Sequence, residues 1–142
     1  MRPPRLPSLP GGVSAIPRPS AARPVAIITI VGRVLLAALF ILAGIAKIAG
    51  PQPFVEHMAA HHIPSVLLPA VIALELGAGL AILLGWQISF AAGALALFCL
   101  ATAFGFHLDF ADKAERSLFF KDVAIAGALM VIAAAAWRPV VN

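Results

Sequence analysis

Apolar residues gather in four long runs separated by short polar breaks: Val25 to Ile48, Pro64 to Leu84, Ile88 to Phe106 and Phe119 to Trp137. At about 1.5 Å per residue the second run makes roughly 31 Å of helix, the thickness of a bilayer's hydrocarbon core, and the first about 36 Å. The pattern predicts an all-α fold, a four-transmembrane-helix bundle over residues 25–137. The first break contains GPQPFVEHMAAHHI, whose prolines end the first helix and whose EHMAAHH is a candidate short interfacial helix. The second is the turn Gly85-Trp86-Gln87, and the third, His107 to Leu118, carries balanced charges and reads as an exposed loop. Pro69, in the first third of the second run, predicts a kink.

Residues 1–24 have a different composition. They hold seven of the twelve prolines together with Arg2, Arg5, Arg18 and Arg23, and no acidic residue. Such a segment cannot bury enough apolar surface to offset the entropy of ordering, so it reads as a disordered basic tail. The apolar run that follows exceeds a signal-peptide core and resembles an anchor more than a cleaved leader. Four spans put both termini on one side, and the arginines put that side in the cytoplasm, with residues 138–142 as a second short tail there. Trp86 and Trp137 then fall at the cytoplasmic interface and Phe54, Phe106, Phe110, Phe119 and Phe120 at the opposite one.

Composition agrees with a bilayer environment: 62% of residues are hydrophobic, 11% are charged, and the mean hydropathy is +1.02. A net charge of +4 does not argue for nucleic acid, because four of the ten basic residues lie in the first 23 positions, outside any folded face. Cys99 is the only cysteine and lies inside an apolar run. This chain alone therefore builds no intrachain disulfide, CxxC pair or thiolate cluster.

The candidate chemistry is the charge inside the spans. Glu75 sits near the middle of the second run, where a charge costs on the order of 2.5–3.5 kcal/mol to insert. Counted from the cytoplasmic ends, Arg33 and Glu75 both lie at roughly 12–14 Å depth, which predicts that they face each other. Such a pair is either a structural ion pair or a proton-handling or ligand-binding one; the remaining alternative is that the two do not touch, since the rotation of each helix is not set by depth. Arg33, Gly44 and Lys47 share one helical face. Lys47, His107, Lys121 and Asp122 make a candidate outer polar layer that would attract a small anion, unless the lysines merely snorkel to headgroups. His57, His61 and His62 are weak candidates for a metal, since no fixed fourth ligand accompanies them; no metal site is otherwise expected. Small residues (Gly77, Gly79, Ala92, Gly93, Ala96, Ala124, Gly127, Ala128) allow close helix approach.

RVLLAALFILAGIAKI in the first span, ALELGAGLAILLGW in the second and FFKDVAIAGALMV in the fourth resemble the DoxX family of small bacterial membrane proteins. The likeness runs from Arg33 to Val131. It implies motif positions at Arg33, Gly44, Lys47, Glu75 and Lys121; where many members have Lys-Asn, this chain has Lys121-Asp122. It also implies a bacterial inner-membrane location and, through relatives linked to a thiosulfate:quinone oxidoreductase, a membrane subunit of a quinone-linked system. No cofactor would be bound covalently; a quinone is the expected ligand, with Glu75 and Arg33 handling its proton or oxygen. A partner protein or a second copy is the expected associate. A non-catalytic scaffold or assembly factor is the alternative, and a small-solute or metal permease a third.

Overall fold

The computed structural model describes residues 22–137, so residues 1–21 of the predicted 1–24 tail and the predicted tail at 138–142 lie outside the described residues, while residues 22–24 belong to the first helix. The described chain is all-α. Five helices follow in order: α1 (Ala22–Ala49), α2 (Gln52–Ala60), α3 (Leu68–Leu84), α4 (Ile88–Phe106) and α5 (Lys113–Ala136). α1, α4 and α5, and α3 taken with the 3-10 turn that leads into it from Ser65, are long and apolar enough to cross a membrane, so the chain is a four-span bundle. Successive spans alternate in direction. One end of the bundle carries the start of α1 and the α3–α4 turn; the other carries α2 and the α4–α5 loop.

The boundaries have local causes. Pro69 does not kink α3; it falls in that helix's first turn, after a single 3-10 turn at Ser65–Leu67. There its missing N–H would have no intrahelical acceptor anyway, so nothing is lost. Gly85 ends α3 with φ of +80°, the left-handed conformation that glycine adopts at no steric cost. The helix α5 begins at Lys113, inside the segment expected to be a loop. Asp112 is the reason, because its side chain accepts from the backbone N–H of Ala114 at 2.6 Å and of Glu115 at 3.2 Å.

Helices α1 and α3 pack as one pair and α4 and α5 as another, and the pairs join along α3 and α4. The core is built of small and medium side chains: Ala37, Phe40, Ile82, Ala92, Leu95, Ala96 and Leu129 are buried. Close approach between α1 and α3 depends on two glycines. A Cβ on Gly44 would stand 2.8 Å from Leu76, and one on Gly79 would stand 3.0 Å from Ile41. Of the other glycines predicted to aid packing, Gly77, Gly93 and Gly127 have no such neighbour. Leu35, Leu42, Leu97 and Val131 are exposed on the bundle's outside, as lipid contact requires. Trp86 and Trp137 are exposed near the α3–α4 turn, and Phe104, Phe110, Phe119 and Phe120 form edge-to-face pairs at the opposite end.

Candidate functional site

A cavity of about 520 Å³ opens at the α2 end of the bundle. Its wall is mostly apolar, with Phe40, Met58, Leu68, Phe98 and Ile125 among the contributors. A few polar side chains from different helices converge on it: Lys47 from α1, Glu75 from α3, Thr102 from α4, His107 from its end, and Lys121 and Asp122 from α5. An apolar chamber with a small number of placed polar groups is the usual form of a small-molecule site.

The expected partner of Glu75 is corrected. Lys47, and not Arg33, meets it: Nζ lies 2.9 Å from Oε1 and 2.8 Å from Oε2. The Glu75 side chain is 4% exposed and that of Lys47 13%, so the pair is dry. Depth counted from the ends of the apolar runs misjudges the register of α1 against α3: a Cβ on Gly44 would lie 3.5 Å from that of Glu75, so Glu75 is level with Gly44, three residues from Lys47 and eleven from Arg33. Side-chain lean closes the remaining interval to Lys47. In a helix every Cα–Cβ bond tilts toward the N-terminus, and α1 and α3 run antiparallel. Arg33 and Glu75 therefore lean apart, whereas Lys47 and Glu75 lean together. For the same reason Lys47 does not snorkel out to headgroups. It reaches back along α1, within 3.5 Å of the Ala43 carbonyl, and the Phe54 ring covers its ammonium at 4.9 Å.

Arg33 leans the same way as Lys47, which takes it away from Glu75, and it caps α3. Its guanidinium donates to the Ile82 carbonyl at 2.7 and 3.2 Å and to Leu83 at 3.5 Å. A cation at the last carbonyls of a helix satisfies acceptors and meets the negative end of the dipole. The predicted shared face of Arg33, Gly44 and Lys47 is present, and all three contact α3; Arg33 is on neither the cavity wall nor Glu75.

At the cavity's other side, His107 uses both ring nitrogens. Nδ1 is 2.6 Å from Glu115 Oε2, and Nε2 is 3.9 Å from Asp122 Oδ2. The Thr102 hydroxyl lies 3.2 Å from the same Asp122 oxygen and 2.9 Å from the Cys99 carbonyl. Phe106 is flanked by two histidines at the α2 end: His57, on the cavity wall, stacks on it at 4.9 Å, and His61, just past α2, meets that ring edge-on at 5.2 Å. Among the described residues no three His, Cys, Asp or Glu side chains are arranged to hold a metal. His61 Nδ1 lies 2.9 Å from the His57 carbonyl, and His62 is exposed on a residue with φ of +57°.

Glu115, Thr102, Phe54 and Phe106 were not among the candidates read from the sequence. Asp112-Lys113-Ala114-Glu115 is a helix-start signal that would have placed Glu115 two turns before Asp122 on α5. The other three carry no signal that separates them from ordinary span residues.

Residues 28–108 match the sequence profile of the DoxX family, more than half of the chain. The chain belongs to the DoxX family. Inner membrane protein YqjF of Escherichia coli (strain K12) is a relative, 41% identical over 104 residues that make up 73% of this chain and 80% of that protein. No solved structure matches. The DoxX segment includes Arg33, Lys47, Glu75 and His107; Glu115, Lys121 and Asp122 lie beyond it.

His57 makes the mouth sensitive to pH. Burial, then the neighbouring His61 and His107, hold its imidazole below the ordinary value of 6.5, with Glu115 acting the other way. As pH falls through that value the unfolded chain takes up a proton that the folded chain resists, so stability falls with pH. Thermal unfolding in detergent is expected to show a midpoint that drops between about pH 7.5 and 5.5, and His57→Asn is expected to flatten that slope.

Proposed function

We propose that this DoxX-family protein is a bacterial inner-membrane subunit of a quinone-linked oxidoreductase, and that the cavity receives the quinone headgroup. The observation that carries the reading is the dry Lys47–Glu75 pair on the wall of an otherwise apolar chamber. The chamber suits such a group in three respects. About 520 Å³ accommodates a substituted ring. Apolar walls match the ring and the start of an isoprenoid tail. The polar groups are a cation that can donate to a carbonyl oxygen and carboxylates that can exchange protons.

A bound quinone supplies two-electron, two-proton chemistry, and its electrons come from a partner protein in this reading. The chain's own contribution is binding, orientation and proton handling. Lys47, held by Glu75 and capped by the Phe54 ring, presents a donor whose position is fixed before a ligand arrives. Both termini face the cytoplasm in this reading, as the arginine-rich tail directs, so the cavity lies toward the periplasmic side. The name of the E. coli relative supports the inner membrane as the location.

Glu75→Gln is the direct test, because it keeps the shape and removes the charge. Binding of decylubiquinone to purified protein in nanodiscs is expected to weaken at least about tenfold, or 1.4 kcal/mol, with quinone-linked electron flow in membranes falling in parallel at normal protein level. Unchanged binding and flow, with only abundance reduced, would favour a scaffold and defeat the quinone reading.

A further inference from the structure

We propose that Glu115, His107 and Asp122 form a proton path through the cavity wall, joining the water at the α2 end of the bundle to the chamber. Glu115 and Asp122 are seven residues apart on α5, which places them on one face, about 10.5 Å apart along the axis. Glu115 occupies the first turn, where the Asp112 cap fixes it, and its side chain is 28% exposed and absent from the cavity wall. Asp122 is on that wall. The His107 ring bridges the interval, with one nitrogen on each carboxylate.

Imidazole is the side chain that can accept a proton on one nitrogen and release another from the second. A protonated Glu115 carboxyl gives its proton to Nδ1; the Nε2 proton passes to Asp122; Glu115 is left as carboxylate and the ring as its Nδ1–H tautomer. One proton has moved and no charge is created. Loss of the Nδ1 proton to water and gain of one at Nε2 then restores the starting tautomer with no net change in charge. The Nε2 contact of 3.9 Å is beyond a hydrogen bond, and a shift of about 1 Å at that nitrogen closes it.

Thr102 is placed to follow the state of Asp122. Its hydroxyl carries one hydrogen and has two acceptors within reach, Asp122 Oδ2 and the Cys99 carbonyl. With Asp122 ionised the hydroxyl donates to it; with Asp122 protonated the acid donates to Thr102, which turns to Cys99. Both states of the carboxyl are therefore satisfied. The other charged or titratable groups around this chamber are Lys121 on α5, Cys99 on α4, His57 on α2, Lys47 on α1 and Glu75 on α3. As a supply of protons to a quinone the path rests on the reading above; as a path it does not.

The test uses the full chain in lipid nanodiscs, with a light-triggered release of protons and infrared detection of the carboxyl stretch that Asp122→Asn removes. Protonation of Asp122 is expected to slow at least about tenfold in His107→Ala, in line with the usual contribution of a placed proton carrier. Glu115→Gln, which keeps an acceptor on His107 and so guards against a folding defect, is expected to slow it as well. Added imidazole should restore the rate in His107→Ala. Pyrazole, which fills the same space but is a far weaker base, should not. An unchanged rate in both variants, or equal rescue by pyrazole, would overturn the path. Decylubiquinone binding to the same nanodiscs is scored separately; its absence, with proton transfer still dependent on His107, would remove the quinone reading and leave the path standing.

Discussion

Replacing Lys47 by Met is expected to destabilise the bundle by about 3–5 kcal/mol, the range for removing one partner of a buried ion pair. Glu75 is 3% exposed, and both of its oxygens are taken by the Lys47 ammonium. Without that ammonium the carboxylate is left in a mostly apolar wall and loses the one side-chain donor it has among the described residues. The measurement is reversible unfolding in mixed micelles, followed by circular dichroism. A second variant separates charge from packing. Lys47→Met combined with Glu75→Leu removes both ions and fills the same volume, and pairs replaced in this way are often as stable as the original or more so. The double variant is therefore expected to recover most of the loss while binding no quinone analogue. If the single variant is as stable as the parent, Lys47 is not what holds Glu75.

The same pair shows where sequence reasoning stops. Four spans, their order and the end at which each charged residue lies follow from hydropathy and counting, because a bilayer imposes length and composition on anything that crosses it. The gathering of Lys47, His107, Lys121 and Asp122 near one end also follows from counting, and the structure puts all four on one cavity wall with Glu75. The partner of Glu75 does not follow. Arg33 and Lys47 share a helical face, so rotation about α1 cannot distinguish them; the register of α1 against α3 does, because Gly44, three residues from Lys47 and eleven from Arg33, is the residue level with Glu75. Counting from the ends of the apolar runs therefore favours the wrong cation, since Arg33 lies about three turns of helix from that level. The start of α5 was hidden for a different reason. Its first turns are charged, and a hydropathy reading registers the apolar portion, while the cap at Asp112 sets the actual beginning. That choice determines whether Glu115 and Asp122 share a helix face, and hence whether His107 has two carboxylates to bridge.

Gly44→Val is expected to cost roughly as much as losing the ion pair, although it removes no charge. A Cβ at this position would lie 2.8 Å from Cγ and Cδ2 of Leu76 and 3.5 Å from the Cβ of Glu75, before either Val methyl is added. The half-buried Leu76 side chain must turn away or α3 must shift, and Gly79, one turn further on, already holds α3 against Ile41 and the Ala37 carbonyl. Overpacking of this kind costs about 1–3 kcal/mol. A further loss follows, since Lys47 is three residues from Gly44 and Glu75 adjoins Leu76: separating the helices by even about 1 Å lengthens both contacts of the pair beyond good hydrogen-bond distance. The sum is expected to reach about 3–5 kcal/mol and to be less than additive with Lys47→Met, because the two substitutions spoil one interaction. Gly77→Ala is the control. It lies two residues from Glu75 on the same helix, yet an added Cβ there meets nothing within 4 Å. That variant is expected to be neutral or stabilised by up to about 1 kcal/mol through helix propensity. Equal stability of the Gly44→Val and Gly77→Ala proteins would show that the spacing of α1 and α3 is set elsewhere, and that the Lys47–Glu75 pair tolerates a looser bundle than its 2.8 Å contact implies.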